Sequence, residues 1–334
     1  MDSVKIRIEP ELFHFSGQSS MDAWSLLDVF EKRGWSSYDK TLVQSPVLFL
    51  QRVKELASTF PTWQRTSWTG RRPTSERDLL IAVIVKQLLR VSFRPLEGWL
   101  RVFADFFEMH NVPDANTISR WNRSRRFAQV LRRFHAWILE QLPERNVIVA
   151  TDATGYGSTK NAWRTTDYGL RATQPWVKSH VAVEVPQLLY LSTIHTSGRV
   201  HESQVFEEVW TSLPQNVHPT RSLADAAYTG EACLAAARKQ GATPLHGIKK
   251  NARNTETPDS NYEKMVNFAT HWPNRYAKLV GKRSLVENVF STTKDRFGDR
   301  LRCRTKIARE NEVQAKQTAH NIFVIAMRES IVSR

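Results

Sequence analysis

"NVIVATDATGYG", residues 146–157, decides the fold class. Its first half is apolar and β-branched, too short for a helix, and turn-forming residues close it. Such a run reads as a central strand covered on both faces. Outward from it, "WVKSHVAVEV" and "LLYLSTIHT" predict two further strands joined by a tight turn at Pro186. Then "HESQVFEEVWTSL" reads as a helix and "RSLADAAY" as a short strand; "GEACLAAARKQG" is a helix closed by Gly241, and "TPLHGIK" another strand. Antiparallel strands followed by alternating helix and strand predict a mixed α/β sheet beginning near residue 145. The final "NEVQAKQTAHNIFVIAMRES" predicts an amphipathic helix packed on that sheet.

Upstream the grammar is helical. Residues 1–60 are mixed, with short helices expected around "DAWSLLDVFEKRG" and "SPVLFLQRVKELAS". A turn-rich basic linker follows, in which Ser75 is placed to cap the next helix. Pro113 and Asp114 mark a turn, and Asn116 is the expected N-cap of a segment with Ile118, Trp121, Phe127, Val130, Phe134, Trp137, Ile138 and Leu142 at helical spacing, broken near Ser124. Arginines crowd the same stretch, with Arg120 and Arg123 the first two. A helix, a turn and a basic helix resemble a helix-turn-helix DNA reader; an ordinary bundle with a charged exterior reads equally well. The expected division is therefore a mixed helical segment (1–60), a helical, helix-turn-helix-like DNA-binding region (61–144) and an α/β domain (145–328).

The chain has 334 residues, of which 41% are hydrophobic and 24% charged, which argues against wholesale disorder. Its charge is less ordinary: 48 Lys and Arg against 33 Asp and Glu give +15, an excess that favours a polyanionic partner such as nucleic acid. Ribosomal and membrane-surface proteins share this bias. Two cysteines, Cys233 and Cys303, cannot supply a disulfide framework or a cysteine zinc site, so a reducing, cytoplasmic setting is expected. The first 25 residues lack the apolar core of a secretory signal. "LLIAVIVKQLL", 79–89, is too short to cross a bilayer and carries Lys86, so no membrane partner is expected.

Asp152 and Asp225 each stand where an apolar strand is expected to end and a crevice can open. A third acid, Glu287, lies in "KRSLVENVFSTTKDRFG", residues 282–298. On a helix, Arg283, Glu287 and Lys294 fall within an arc of roughly 40°, beside an apolar face of Leu285, Val286, Val289, Phe290 and Phe297. Singly, each acid has a plain reading, as a turn former or a helical ion pair. Together they would repel one another unless cations held them. Oxygen-only ligation selects Mg²⁺ or Mn²⁺, and two such ions about 3.5–4 Å apart can stabilise both oxygens of a phosphodiester exchange.

The stretches "VATDATGY", "VKSHVAVEV", "HTSGRVHES", "LADAAYTG" and "RSLVENVFSTTKDRFGDRLRCR" resemble the DDE-type transposases of bacterial and archaeal insertion sequences. The likeness runs over 145–326 and extends loosely to "VSFRPLEGWL" and "VPDANTISRW". It implies a ribonuclease-H-like mixed sheet with flanking helices, preceded by an all-α N-terminal region. By position it makes Asp152, Asp225 and Glu287 the metal-holding catalytic acids, with two Mg²⁺ or Mn²⁺ ions per site. It implies double-stranded DNA partners, both terminal inverted repeats and target, a homodimer or larger synaptic assembly, and a nucleoid-associated location. The family signature also has an arginine four residues before its glutamate and a lysine seven after, here Arg283 and Lys294, as DNA contacts. Many members place a tyrosine three residues before that arginine, where this chain has Val280, with Tyr276 out of register. His201 and Glu202 match a further motif and read as supporting residues, although an acid in a helix's first turn has a dipole explanation too. Lys249 and Lys250 in "HGIKKNARN" follow a strand end as a phosphate grip. Trp163, Trp176 and Trp272 could stack on an exposed base, but tryptophan is more often core, and none is assigned. A catalytically silent DNA-binding descendant and a simple nuclease of the same fold are the alternatives.

Overall fold

The computed structural model describes residues 35–62, 74–159, 162–166, 169–173, 175–249, 252–253, 255 and 257–332. Among the described residues, six helices come first: α1 (Trp35–Thr59), α2 (Glu76–Leu89), α3 (Phe93–Val102), α4 (Ala104–Phe107), α5 (Ala115–Asn122) and α6 (Arg125–Glu140). Ser75 caps α2 as expected, its hydroxyl accepting from the Asp78 N–H at 3.4 Å. The N-cap of α5 is Asp114 rather than Asn116. The Asp114 carboxylate takes both the N–H and the hydroxyl of Thr117, at 2.8 and 2.7 Å, whereas Asn116 already lies inside the helix. The expected break is real: Ser124 caps α6 through the Phe127 N–H.

The main sheet is built from β1 (Arg145–Ser158), β4 (Trp176–Glu184), β5 (Leu189–Thr196), β6 (Val217–Ala224), β7 (Thr243–His246) and β8 (Arg300–Leu301). A separate hairpin joins β2 (Ala162–Thr166) and β3 (Gly169–Thr173). The main order is β5-β4-β1-β6-β7, with β8 beside the far end of β1. β1 is antiparallel to β4 and parallel to β6, and β6 is parallel to β7. This is a mixed sheet with flanking helices behind a helical N-terminal region, as the sequence predicts. Between the strands run α7 (Phe206–Thr211) and α8 (Glu231–Lys239), and beyond them α9 (Asn261–His271), α10 (Pro273–Gly281), α11 (Leu285–Phe297) and α12 (Lys306–Val332).

Alternation along β1 sorts its two faces. Val147 and Val149 pack with Phe206, Val209 and Trp210 of the α7 side, while Ala150 joins Val181, Leu223, Val286, Val289 and Phe290 under α11. One expectation needs correction here. Asp152 does not close β1; the strand continues to Ser158, and Asp152 lies within it opposite Val181. The turn-forming residues stay extended because β4 satisfies their backbone groups, pairing Gly155 with Lys178 and Gly157 with Trp176.

The closing helix also differs from its expected form. α12 is not amphipathic in situ: residues 311–323 are buried all round, because α1, α2 and α6 cover the side turned away from the sheet. Its polar residues are accordingly bonded within the protein. Asn321 accepts from the Tyr190 N–H and donates to the Tyr190 carbonyl, Gln314 meets Thr193, and Gln317 donates to Ser179. Glu312 pairs with Lys86 of α2 at 3.1 Å and accepts from the Arg302 and Cys303 N–H groups. Phe49, Ile81, Phe134 and Ile322 lie in one apolar cluster with the α7 side of the sheet.

Candidate active site

Register brings the first two acids together. The last paired residues of β1 and β6 are Ala150 and Leu223, so two residues farther along come Asp152 and Asp225. β6 ends at Ala224, and the Asp225 carboxylate turns to cap the short 3-10 turn Ala226–Tyr228, accepting from the Ala227 N–H at 2.8 Å. β1 instead runs on, so Asp152 sits beside the point where its neighbour stops. Gly247, just past β7, backs this corner. A Cβ there would stand 3.0 Å from the Ala226 nitrogen and 3.3 Å from the Asp225 carbonyl carbon, so any side chain would press the Asp225 turn aside by a few tenths of an ångström.

Asp152 is largely buried, with 16% of its side chain exposed. Burial pushes its carboxyl up to about 6; the Ala153 N–H and Arg283 pull it down, while Asp225 and Glu202 push it up further. Arg283 stands in the 3-10 turn Lys282–Ser284 leading into α11. Its guanidinium lies 3.3 Å from Asp152 and 3.9 Å from Glu287, bridging the two acids. Glu287 itself is 65% exposed. Two turns on, the Lys294 ammonium donates to the Thr154 hydroxyl at 2.6 Å and lies over the Tyr156 ring. Burial lowers the affinity of that amine for its proton. Thus α11 and the 3-10 turn before it lay an arginine, a carboxylate and a lysine along the Asp152 face of β1.

Glu202 approaches from the opposite side of the sheet, at the start of the 3-10 turn Glu202–Gln204, and pairs with Lys178 of β4 at 2.8 Å. Its neighbour His201 is exposed and bonds Ser203, capping the same turn. Tyr228 is buried, and its hydroxyl has no hydrogen-bond partner among the described residues. Burial, then the charges of Glu202, Asp152 and Asp225, hold that phenol firmly protonated. Lys178, Tyr228 and Gly247 were not singled out by sequence. Tyr228 stands in the quoted "LADAAY" motif, and strand alternation was the available signal for Lys178.

Lys249 is exposed just after β7, and Lys250 lies outside the described residues. Arg120 and Arg123 are exposed at the end of α5, where Arg123 bonds the Ser119 carbonyl. Tyr276, the out-of-register tyrosine, hydrogen-bonds the His246 carbonyl and packs with Phe268 under the sheet.

Among the described residues, no three acid, histidine or cysteine side chains converge closely enough to share a metal ion. The donor chemistry nevertheless suits a hard cation. Asp152 and Asp225 are adjacent oxygen donors, burial and like charge oppose the ionisation of Asp152, and the Arg283 guanidinium offsets part of that cost. Among the described residues, no helix is long and apolar enough to cross a membrane.

A family model described as Transposase DDE domain matches residues 143–322, more than half of the chain. Among solved structures, the chain is similar to one from a cryo-EM structure of a piggyBac transposase synaptic complex with hairpin DNA. The likeness has a TM-score of 0.43 and 12% identity, covering 86% of this chain and 75% of that one. A search of curated proteins finds no match.

Proposed function

The chain belongs to the transposase DDE domain family, and from that premise we propose that it is an insertion-sequence transposase. It binds the terminal inverted repeats of its element, cleaves DNA at the ends and transfers the resulting 3′-hydroxyl to target DNA. The observation that carries this is the adjacency of Asp152 and Asp225 at the tip of β6, with Arg283 linking Asp152 to Glu287.

Asp152, Asp225 and Glu287 would hold two Mg²⁺ or Mn²⁺ ions, which supply stabilisation of the attacking and leaving oxygens of a phosphodiester. The protein's own part is positioning. Arg283 partly offsets the burial that opposes ionisation of Asp152, and with cations bound at the acids its guanidinium would be available to a DNA phosphate. The exposed Glu287 side chain, one helical turn away, is free to rotate toward Asp152. Lys294, steadied by Thr154, presents a second cation along the same helix. Glu202 and Lys178 brace the opposite side, with His201 fixing the turn that carries Glu202. Lys249, Lys250, Arg120 and Arg123 contact the DNA backbone, and residues 61–144 read the repeats. Joining two ends calls for a homodimer or larger assembly.

The test is Asp152→Asn against DNA carrying the sequences that flank the protein's own gene. Strand cleavage with Mg²⁺ should vanish while binding to those ends persists. A variant that still cuts overturns the assignment. Wild-type protein that nicks but never joins ends is a nuclease of this fold, and wild-type protein that only binds is a silent descendant.

A further inference from the structure

The far end of α11 is gripped by side chains from two other helices. Arg90, the residue that ends α2, donates from Nε to the Arg296 carbonyl at 3.0 Å. The Lys316 ammonium of α12 donates to the Phe297 and Gly298 carbonyls at 2.5 and 2.8 Å. Carbonyls at a helix C-terminus are ordinarily left to water or to a glycine turn. Here both cations meet at Gly298, where a Cβ would stand 3.4 Å from the Lys316 ammonium and 4.0 Å from Arg90 Cδ. Neither residue type suits its place on local grounds. Arg90 is left-handed, with φ at +53°, where glycine or asparagine is the usual occupant. Lys316 is only 3% exposed, and burial pulls its proton affinity down to about 8 against the opposing charge of Glu312. Phe49 of α1 completes the group, its ring 6.0 Å from that of Phe297.

We propose that Arg90 and Lys316 are positioning residues that hold α11 from behind, so that Glu287 keeps its place near Asp152 when Arg283 and Lys294 turn to DNA. This rests on the transposase reading and adds to it two residues remote from the acids. Glu287 stands ten residues before Phe297 on α11, about 15 Å at a helix's rise. Over that length a hydrogen-bonded helix moves as one rigid element, so its height at one end sets its height at the other. At the front, α11 is tied by Arg283 to Asp152 and by Lys294 to Thr154. Those two cations are the ones that meet DNA phosphates, and once they leave, only the apolar face and the rear contacts remain. Apolar burial is non-directional and lets a helix slide, whereas hydrogen bonds to carbonyls are directional and fix its height. Arg90 also belongs to the helical region that reads the repeats, so the same bond ties that region to the acid corner.

The experiment uses full-length protein carrying Lys294→Ala, which imitates the loss of that front contact, as the parent of every variant. Spin labels at Asn288 on α11 and His218 on β6, both exposed, report the distance between helix and sheet without metal or DNA. Arg90→Gly suits the left-handed backbone at an exposed position, so the melting temperature should change little. The label distance should nevertheless shift or broaden by about 2 Å. Arg90→Lys, whose ammonium reaches the same carbonyl, should restore the parent distance. Mn²⁺ binding, followed by the electron paramagnetic resonance signal of the free ion, should weaken about 10-fold in Arg90→Gly. Added to Glu287→Gln, Arg90→Gly should weaken it no further, because the effect passes through that acid. Unchanged label distances in Arg90→Gly overturn the proposal, as does a loss of Mn²⁺ affinity that adds in full to that of Glu287→Gln. A parent protein that binds no Mn²⁺ removes the transposase reading, and the label distances then still decide whether Arg90 holds α11.

Discussion

Asp152 and Asp225 are 73 positions apart in the chain and neighbours in the sheet, because parallel pairing of β1 with β6 advances both strands in step. What differs is how each is held. Asp152 is fixed by a strand that continues past it, whereas Asp225 is fixed by a turn whose first N–H it accepts. That turn leans on Gly247. Gly247→Ala should shift the Asp225 backbone by a few tenths of an ångström and lower the cleavage rate by about 10-fold, since catalytic geometry tolerates little displacement. End binding and the melting temperature should change little. Cleavage at the wild-type rate would show that the corner has slack.

At the scale of elements, α11 and α12 carry the architecture. α11 reads from sequence as one apolar stripe and one charged stripe, and it folds that way: Val286, Val289 and Phe290 face the sheet while Arg283 and Lys294 reach β1. α12 is the opposite, a helix whose polar residues are enclosed. Lys86→Met should expose this dependence. Removing the lysine leaves the buried Glu312 with the Arg302 and Cys303 N–H groups and the more distant charge of Lys316, a loss of about 3–5 kcal/mol for a broken internal pair. Denaturant unfolding measures it; a change under about 1 kcal/mol would mean that the backbone donors alone satisfy Glu312.

For the whole molecule, the buried polar network sets a pH window. His135, His195, His246 and His320 are enclosed, and burial lowers their proton affinity to about 4, 3, 4 and 4 respectively, from the usual 6.5. Each bonds as a neutral ring; His320, for example, meets Thr293 and the Leu188 carbonyl. With the folded values depressed, the unfolded chain binds more protons between about pH 6.5 and 4. Stability is therefore full above 6.5 and lost as pH falls through 4, by up to about 1.4 kcal/mol per pH unit for each ring. Melting temperatures followed by circular dichroism should drop steeply across that interval. A flat profile would show that the rings are not held neutral.

Local pattern determined much of this protein by itself: the short apolar runs of β1, β4 and β5, the cap at Ser75, the break at Ser124, the helix turning at Gly241, and the charge stripe of Arg283, Glu287 and Lys294. Each depends on spacing along a few residues, which sequence displays directly. Asp114 took the cap expected of Asn116 because the two compete within three positions, and only backbone geometry separates them. The tertiary structure alone decided that β1 runs past Asp152, because β4 satisfies its backbone there. It alone decided that α12 is enclosed, because distant helices cover its polar side, and that Arg283 bridges two acids. Those outcomes depend on what arrives from elsewhere in the chain to pair, cover or neutralise a group, and no local window of sequence contains that partner.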